Sequence, residues 1–412
     1  MALLSGFYPA LVLSGYNPVV VLKSKMLASD NTTRAWLRKT LTVSQFVIAQ
    51  FFVMATVLVS KQIHYALNKD LGFSKEAIVY FSIPRDTSIS NRYALLQKIK
   101  AIPEVAKASM GFLPPASDGP AITNVKFNNG REDTRVDVQI RWGDTAFLGL
   151  YNIKLLCGRN VHESDTVKEF VINEKYSKVM GFQQPEEALG KLLDFNGKQV
   201  PIVGVMHDFH EGSLHAAIDP IVFTALNQRS GFFHIALQPQ DTQGTVWQTA
   251  LMKLEQAFKE MYRDADFSYS FFDDSIAAFY KNEENTARLL RWATALAIFI
   301  SCLGLAGLAI YTSNTRTKEI GIRKTLGASV ANIVALLSKD FVRLVTLAFL
   351  IAAPLAWWAM HSWLQDFAYR TEMNGWIFVL CGFAMLLIAL ITLSFQVIKA
   401  AIANPVKSLR TE

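Results

Sequence analysis

The sequence is poor in charge and in cysteine. Only 18% of its 412 residues are Asp, Glu, Lys or Arg, whereas 51% are hydrophobic. This balance favours a membrane protein. Cys302 and Cys381 lie inside apolar runs, and Cys157 stands alone in the long middle region. That region therefore has no disulfide of its own.

Common catalytic motifs are missing as well. The printed sequence has no Gly-x-x-x-x-Gly-Lys-Ser/Thr phosphate loop, no Gly-x-Ser-x-Gly turn and no His-Glu-x-x-His pair. ATP hydrolysis through a phosphate loop is therefore not expected of these residues. We predict no catalytic residue, no cofactor and a noncatalytic role.

One dense polar cluster needs an explanation. His207, Asp208, His210 and Glu211 are followed by His215, and histidines so spaced can converge on a metal ion. The cluster follows a predicted strand and has no cysteine beside it. A local hydrogen-bonded turn is the favoured interpretation, and no metal site is predicted.

Four apolar runs are each about one bilayer long. Tryptophans stand near the ends of the last two, as at membrane interfaces. Soluble helices rarely run this far without a charge. The predicted spans are residues 41–60, about 292–313, about 344–363 and about 376–398.

Positive charge gathers beside these runs. Residues 17–39, 314–343 and 399–412 together hold 14 Lys and Arg against 4 Asp and Glu, whereas residues 61–291 hold 26 against 28. Because cytoplasmic loops are enriched in Lys and Arg, both termini are predicted inside and residues 61–291 outside. The same distribution removes the case for nucleic-acid binding.

A short sequence motif occurs near both ends of the chain. Residues 17–23 read Asn-Pro-Val-Val-Val-Leu-Lys and residues 404–410 read Asn-Pro-Val-Lys-Ser-Leu-Arg, each after an apolar run. We interpret residues 1–39 as a cytoplasmic leader left from a preceding repeat unit. The alternative is chance, because Asn-Pro ends helices in any protein.

The large middle region has mixed α/β patterning. Strand-like 77–83, helical 89–102 and strand-like 105–110 predict a β-α-β core, and a β-rich lobe is predicted as an insertion over about 113–232. Helices are predicted to continue from both flanking spans into this region. The predicted fold is an α-helical membrane domain of four transmembrane helices plus a two-lobed α/β extracytoplasmic domain. Its parts are transmembrane helix 1 with its stalk at 40–71, the extracytoplasmic domain at 72–273, and a stalk helix with three more spans at 274–412.

The second span carries small residues on one side, which permit close contact between helices in lipid. This stripe is either a packing surface within the chain or a dimer seam. Its members are Ala293, Ala297, Ser301, Gly304 and Gly307.

A basic, helix-compatible segment separates the second and third spans. Glu319 stands four residues before Arg323, which supports a helical turn, and Gly327 is a plausible end for it. An ordinary solvated loop is the alternative. The segment of interest comprises Lys318, Glu319, Ile320, Gly321, Ile322, Arg323, Lys324, Leu326, Gly327 and Ala328.

With this topology and the motif Arg-Thr-Lys-Glu-Ile-Gly-Ile-Arg-Lys-Thr-Leu-Gly-Ala at 316–328, the sequence resembles permeases of the FtsX/MacB-type ABC transporter family. Residues 208–215 resemble a motif of the outer domain in the same family. The resemblance covers about residues 40–412 and identifies 72–273 as a MacB-like domain.

The resemblance implies a permease subunit in the bacterial inner membrane, driven by a separate cytoplasmic ABC ATPase that docks on residues 318–328. It implies pairing as a homodimer or with a homologous unit, and allows a periplasmic adaptor or an outer-membrane partner. Expected cargo is amphipathic, such as a peptide, a lipoprotein or an antibiotic. The alternative is a regulator that activates an envelope partner such as a cell-wall hydrolase without transport.

Overall fold

The computed structural model describes residues 30–84, 87–117, 119, 121–128, 133–316, 319, 322–323 and 326–402. The chain divides into two compact units. The helical unit contains the residues up to Val57, Leu289–Met360 and those from Met373 onward. The α/β unit contains Leu58–Arg288 and His361–Glu372.

Helices and strands alternate irregularly along the chain. In order they are α1 (Asp30–Asn68), β1 (Ile78–Ser82), α2 (Ile89–Lys100), β2 (Val105–Gly111), β3 (Ile122–Asn128), β4 (Asp133–Trp142), α3 (Phe147–Leu150), β5 (Leu155–Gly158), β6 (Phe170–Asn173), α4 (Glu174–Val179), β7 (Leu192–Phe195), β8 (Lys198–Met206), β9 (Ile221–Thr224), β10 (Phe232–Leu237), α5 (Val246–Met261), β11 (Tyr269–Phe271), α6 (Phe272–Ala278), α7 (Lys281–Thr315), α8 (Val330–Leu364) and α9 (Gly375–Ile402).

Within the described ranges, four helices are long and apolar enough to cross a membrane, over Trp36–Asn68, Lys281–Thr315, Val334–Leu364 and Gly375–Ser394. The buried centre of the helical unit draws on all four helices. Alanines recur there, which allows close approach of the backbones. Its buried members are Phe46, Ala49, Leu305, Ala309, Phe341, Val345, Ala348, Met385, Ala389 and Leu393.

Three helix boundaries differ from the sequence predictions. The first helix begins at Asp30, inside the predicted leader 1–39. Residues 1–29 of that leader and the repeated motif at 404–410 lie outside the described residues. The third spanning helix begins at Val330, because Ser329 Oγ accepts a hydrogen bond from Asn332 N at 3.3 Å. Charged residues before the apolar run thus belong to the helix.

The continuous stalk helix predicted from residue 274 into the second span is also wrong. Two turn residues separate α6 from α7, which starts at Lys281. Phe272, Ile276 and Tyr280 are buried in one cluster, so the chain bends where these side chains enter the core. The Ser275 hydroxyl donates to Phe271 O at 3.1 Å.

The first sheet of the α/β unit has the strand order β11-β1-β10-β2, and every pairing is antiparallel. The predicted β-α-β segment is present as β1, α2 and β2, which lie parallel on either side of β10. β10, α5 and β11 form the same arrangement around β1. These two interleaved units are the ferredoxin-like pattern. Its core joins α2 and α5 to the sheet through residues such as Leu95, Phe233 and Leu254.

The second sheet is formed by β3–β9, which lie in the chain between β2 and β10. Its order is β5-β8-β6-β9-β4-β3-β7, and β7 also pairs with β8. This last pairing closes six strands into a small barrel, whose interior side chains form their own cluster around Val138, Phe170 and Val222. The β7–β8 turn is Asn196-Gly197, with φ of 53° and 78°, as a two-residue hairpin requires.

Candidate functional site

The segment between α7 and α8 contains one helical turn with a defined end. Arg323 Nη2 lies 2.9 Å from Glu319 Oε1, and Leu326 N donates to Ile322 O at 3.1 Å. Gly327 has φ +88°, and Ala328 N donates back to Arg323 O at 3.0 Å. This is the Schellman pattern of a helix C-terminus.

Four of the site residues predicted from sequence lie outside the described residues. These are Lys318, Ile320, Gly321 and Lys324. The structure describes the other six, namely Glu319, Ile322, Arg323, Leu326, Gly327 and Ala328.

The helical turn presents apolar side chains to its surroundings. Leu326 is 81% exposed and Ile322, one turn earlier, is 54% exposed. The Glu319–Arg323 ion pair has the same i, i+4 spacing, and both of its side chains are nearly half exposed. Two neighbouring exposed apolar side chains form a small patch that another protein can cover.

A second ion pair connects the start of this segment to α8. Arg316 Nη2 lies 3.2 Å from Asp340 Oδ2, and both side chains are about 40% exposed. An exposed pair contributes little stability. Its effect is to restrict where the segment leaves α7.

The small-residue stripe of α7 is divided between two environments. Ser301 Oγ donates to Gln45 O at 3.1 Å, and a Cβ at Gly304 would lie 2.3 Å from Gln45 Oε1. These two residues therefore pack on α1 of the same chain. A Cβ at Gly307 would meet open space, and Ala293 and Ala297 are half-buried.

Polar groups also join helices within the helical unit. Gln50 Nε2 donates to Val345 O at 3.2 Å. Thr294 Oγ1 lies 2.8 Å from Thr56 Oγ1 and donates to Phe52 O. These bonds join α1 to α8 and to α7 within the helical unit.

In the α/β unit, the polar cluster at 207–215 forms a packed turn. Asp208 Oδ1 accepts from Asn173 Nδ2 and from Lys175 N at 2.9 and 2.8 Å. Glu211 forms a buried ion pair with Arg141, with 2.9 Å between Oε1 and Nε. Among the described residues, no three His, Cys, Asp or Glu side chains are grouped to hold a metal ion.

Burial shifts the pKa values of Glu211 and His210 in this cluster. Burial raises the pKa of Glu211 to about 7, although the Arg141 charge opposes that shift. Burial lowers the pKa of His210 to about 4, and the nearby Lys69 charge lowers it further. A neutral His210 ring packs edge-on against Tyr369, with 4.5 Å between ring centroids.

An open cleft of about 570 Å³ lies beside the same turn, lined by residues that include Asp70, Lys154, His207 and Asp208. The lining mixes acids and bases. Nothing in its geometry selects one class of ligand.

The fold and these segments define a multi-span membrane protein with a large α/β domain between its first two spans. The family profile of the MacB-like periplasmic core domain matches residues 40–256, more than half of the chain. The profile of the FtsX-like permease C-terminal domain matches residues 292–405. The chain belongs to the FtsX/MacB family of ABC transporter permeases.

Individual relatives are distant. The macrolide export ATP-binding/permease protein MacB of Campylobacter jejuni subsp. jejuni (serotype O:23/36, strain 81-176) is 21% identical over 273 residues, which are 63% of this chain and 41% of the relative. MacB of Aggregatibacter actinomycetemcomitans is 27% identical over 199 residues, 45% of this chain and 30% of the relative. The chain therefore spans less than half the length of these relatives.

Two solved structures of isolated domains are similar to part of the chain. The periplasmic region of MacB from Actinobacillus actinomycetemcomitans matches with a TM-score of 0.36 and 13% identity, over 52% of this chain and 98% of that one. The extracellular domain of the noncanonic ABC-type transporter YknZ from Gram-positive bacteria matches with a TM-score of 0.30 and 14% identity, over 47% and 97%.

Proposed function

We propose that this chain is a noncatalytic permease subunit that couples ATP hydrolysis by a separate cytoplasmic ATPase to movement of its extracytoplasmic α/β domain. The cargo is an amphipathic molecule, such as a peptide, a lipoprotein or an antibiotic, that is exported or extracted. The observation that carries the proposal is the exposure of Ile322 and Leu326, which stand between two spanning helices in a chain of this permease family.

The length of α1 supports a mechanical role. Its 39 residues at about 1.5 Å each extend about 58 Å, roughly twice the apolar thickness of a bilayer of about 30 Å. α7 has 35 residues without a break. Both helices thus continue well beyond a bilayer core, and a continuous helix transmits displacement better than a flexible linker does.

The apolar runs of the spans provide few ionisable side chains to line a path for a polar cargo. The apolar runs at 41–60, 292–313 and 376–394 contain no Asp, Glu, Lys or Arg, whereas proton-coupled pathways need ionisable groups in the membrane. Cargo handled by the α/β domain avoids this barrier. The relatives' name makes a macrolide the first antibiotic to test as cargo.

The decisive experiment is purification of the full chain from its native host and identification of what accompanies it. A cytoplasmic ATPase is expected in fixed ratio with the wild type. Leu326→Asp and Glu319→Lys are expected to lose it, because the first places a charge in the apolar contact and the second breaks the ion pair with Arg323. Leu192→Asp is the matched control, since Leu192 is a half-exposed leucine of the α/β unit. An ATPase retained at the wild-type ratio by both segment variants would contradict the assignment.

A further inference from the structure

A buried amide in α1 holds the loop between α8 and α9 from one side. Gln62 is 0% exposed. Its Nε2 donates to Tyr369 O at 3.1 Å, and its Oε1 accepts from Thr371 N at 2.8 Å. Lys61 Nζ adds a bond to Glu372 O at 3.0 Å. Because all three partners are backbone groups, the bonds restrain the path of the loop whatever its side chains are.

The turn at 210–215 holds the same loop from the other side. Tyr369 N donates to Leu214 O at 3.1 Å and Ala368 N to His215 O at 3.3 Å. The His215 ring stacks on Phe367, with 3.9 Å between ring centroids. Backbone bonds and ring contacts together fix the loop to the inserted lobe.

This turn also touches the ends of both long helices. His210 N donates to Leu71 O, just after α1, at 2.9 Å. Leu214 N donates to Tyr280 Oη, just before α7, at 2.9 Å. His215 Nε2 lies 3.5 Å from Glu283 Oε1, in the first turn of α7.

The position of the α8–α9 loop in the chain shows why these contacts matter. The loop joins two spanning helices in sequence, yet His361–Glu372 belongs to the same compact unit as Leu58–Arg288. Residues 210–215 thus contact three chain segments that lead into spans: the end of α1, the start of α7 and the α8–α9 loop. A loop that only closed a helical hairpin would need neither a buried amide nor a docking turn.

We propose that Gln62 and residues 210–215 form a clamp that makes the α8–α9 loop a third mechanical connection to the α/β domain, beside α1 and α7. Gln62 and this turn are positioning residues: they act through the loop. The inference rests on the proposed function, because it assigns the route by which displacement of the spans reaches the inserted lobe.

The test follows backbone hydrogen exchange in the full chain with its ATPase, at rest and with the ATPase trapped by vanadate. In the wild type, trapping is expected to change exchange in both 361–372 and 208–215. In Gln62→Leu, which keeps the side-chain size and removes both bonds, exchange of 361–372 at rest rises about tenfold, since local opening sets the rate. The vanadate response is then expected to remain in 361–372 and to become smaller in 208–215, which α1 and α7 still contact through Leu71, Tyr280 and Glu283.

Two further variants separate the clamp from general destabilisation. Gln50→Leu removes an equally buried amide of α1 whose partner is Val345 O, and it is expected to respond like the wild type. His215→Cys with Phe367→Cys, joined by a short thiol crosslinker in the Gln62→Leu background, is expected to restore the response of 208–215. If Gln62→Leu fails to fold, Phe367→Ala tests the same clamp from its other side.

The outcomes are distinct. Identical vanadate responses in wild type and Gln62→Leu would overturn the clamp and leave the driven permease intact. A wild type without any vanadate response in either segment would overturn the proposed function and the clamp with it. A smaller vanadate response of 208–215 in Gln62→Leu that returns to the wild-type level on crosslinking would establish the clamp.

Discussion

At the scale of single residues, Gly72 shows why the end of α1 meets the α/β domain where it does. Its φ is +87°, and a Cβ there would lie 2.6 Å from Asp208 O and 2.9 Å from the Phe209 Cα. Only glycine accepts both the backbone conformation and the contact. The polar turn can therefore pack directly on the chain that leaves the first span.

Gly72→Ala is expected to destabilise the protein more than Gly181→Ala does. Gly181 also has a positive φ, of +92°, but has nothing within 4 Å of its Cβ position. The control variant thus carries the conformational strain alone, and Gly72→Ala adds overpacking of roughly 1–3 kcal/mol. The free energy of unfolding of each full-length variant measures the difference. Equal losses would mean that the contact with Asp208 is unimportant.

The Arg141–Glu211 pair belongs to the same scale. Arg141 is 1% exposed and Glu211 9%, and the sequence marked Glu211 only as a member of a polar cluster. Its partner lies 70 residues away in the chain. No spacing rule in a single sequence reveals such a pair.

Breaking this pair from one side should cost more than removing it. Arg141→Met or Glu211→Leu alone leaves an unpaired buried group, and each is expected to cost about 3–5 kcal/mol. The double variant is expected to be more stable than either single variant. Thermal unfolding of the three proteins in one detergent checks this order. A double variant whose loss equals the sum of the single losses would show that the two groups do not interact.

At the scale of elements, local signals predicted well and long-range ones did not. The pattern at 77–83, 89–102 and 105–110 gave β1, α2 and β2. Each signal lies within the element itself. The barrel closes through the β7–β8 pair and the contact of β7 with β3, and such closure is a property of paired strands. The Asn196-Gly197 dipeptide was the one local sign of it, and it was overlooked.

The functional-site predictions show the same difference between local and long-range signals. Sequence located the segment between the second and third spans, because its charges interrupt apolar runs. The exposure of Ile322 and Leu326 depends on how the segment folds, and the sequence alone does not reveal it. Gln62 carried no signal at all, since an amide in a mixed helix says nothing about backbone partners about 300 positions later.

At the scale of the whole molecule, two compact units share two long helices. α1 and α7 each contribute residues to both units. A transporter that moves an external domain needs continuous elements of this kind, together with a surface on the opposite side of the membrane for the ATPase. The proposed function requires the α/β unit and the segment with Leu326 to lie on opposite sides of the membrane.

Cysteine labelling tests that placement most directly. In a background with Cys157, Cys302 and Cys381 replaced by serine, Gln243→Cys places a thiol on an exposed loop of the α/β unit, and Ser329→Cys places one on the exposed residue before α8. A membrane-impermeant maleimide is expected to label Gln243→Cys in intact spheroplasts and Ser329→Cys only after permeabilisation. Labelling of both from one side, or the reverse order, would contradict a permease that joins a cytoplasmic ATPase to an external domain.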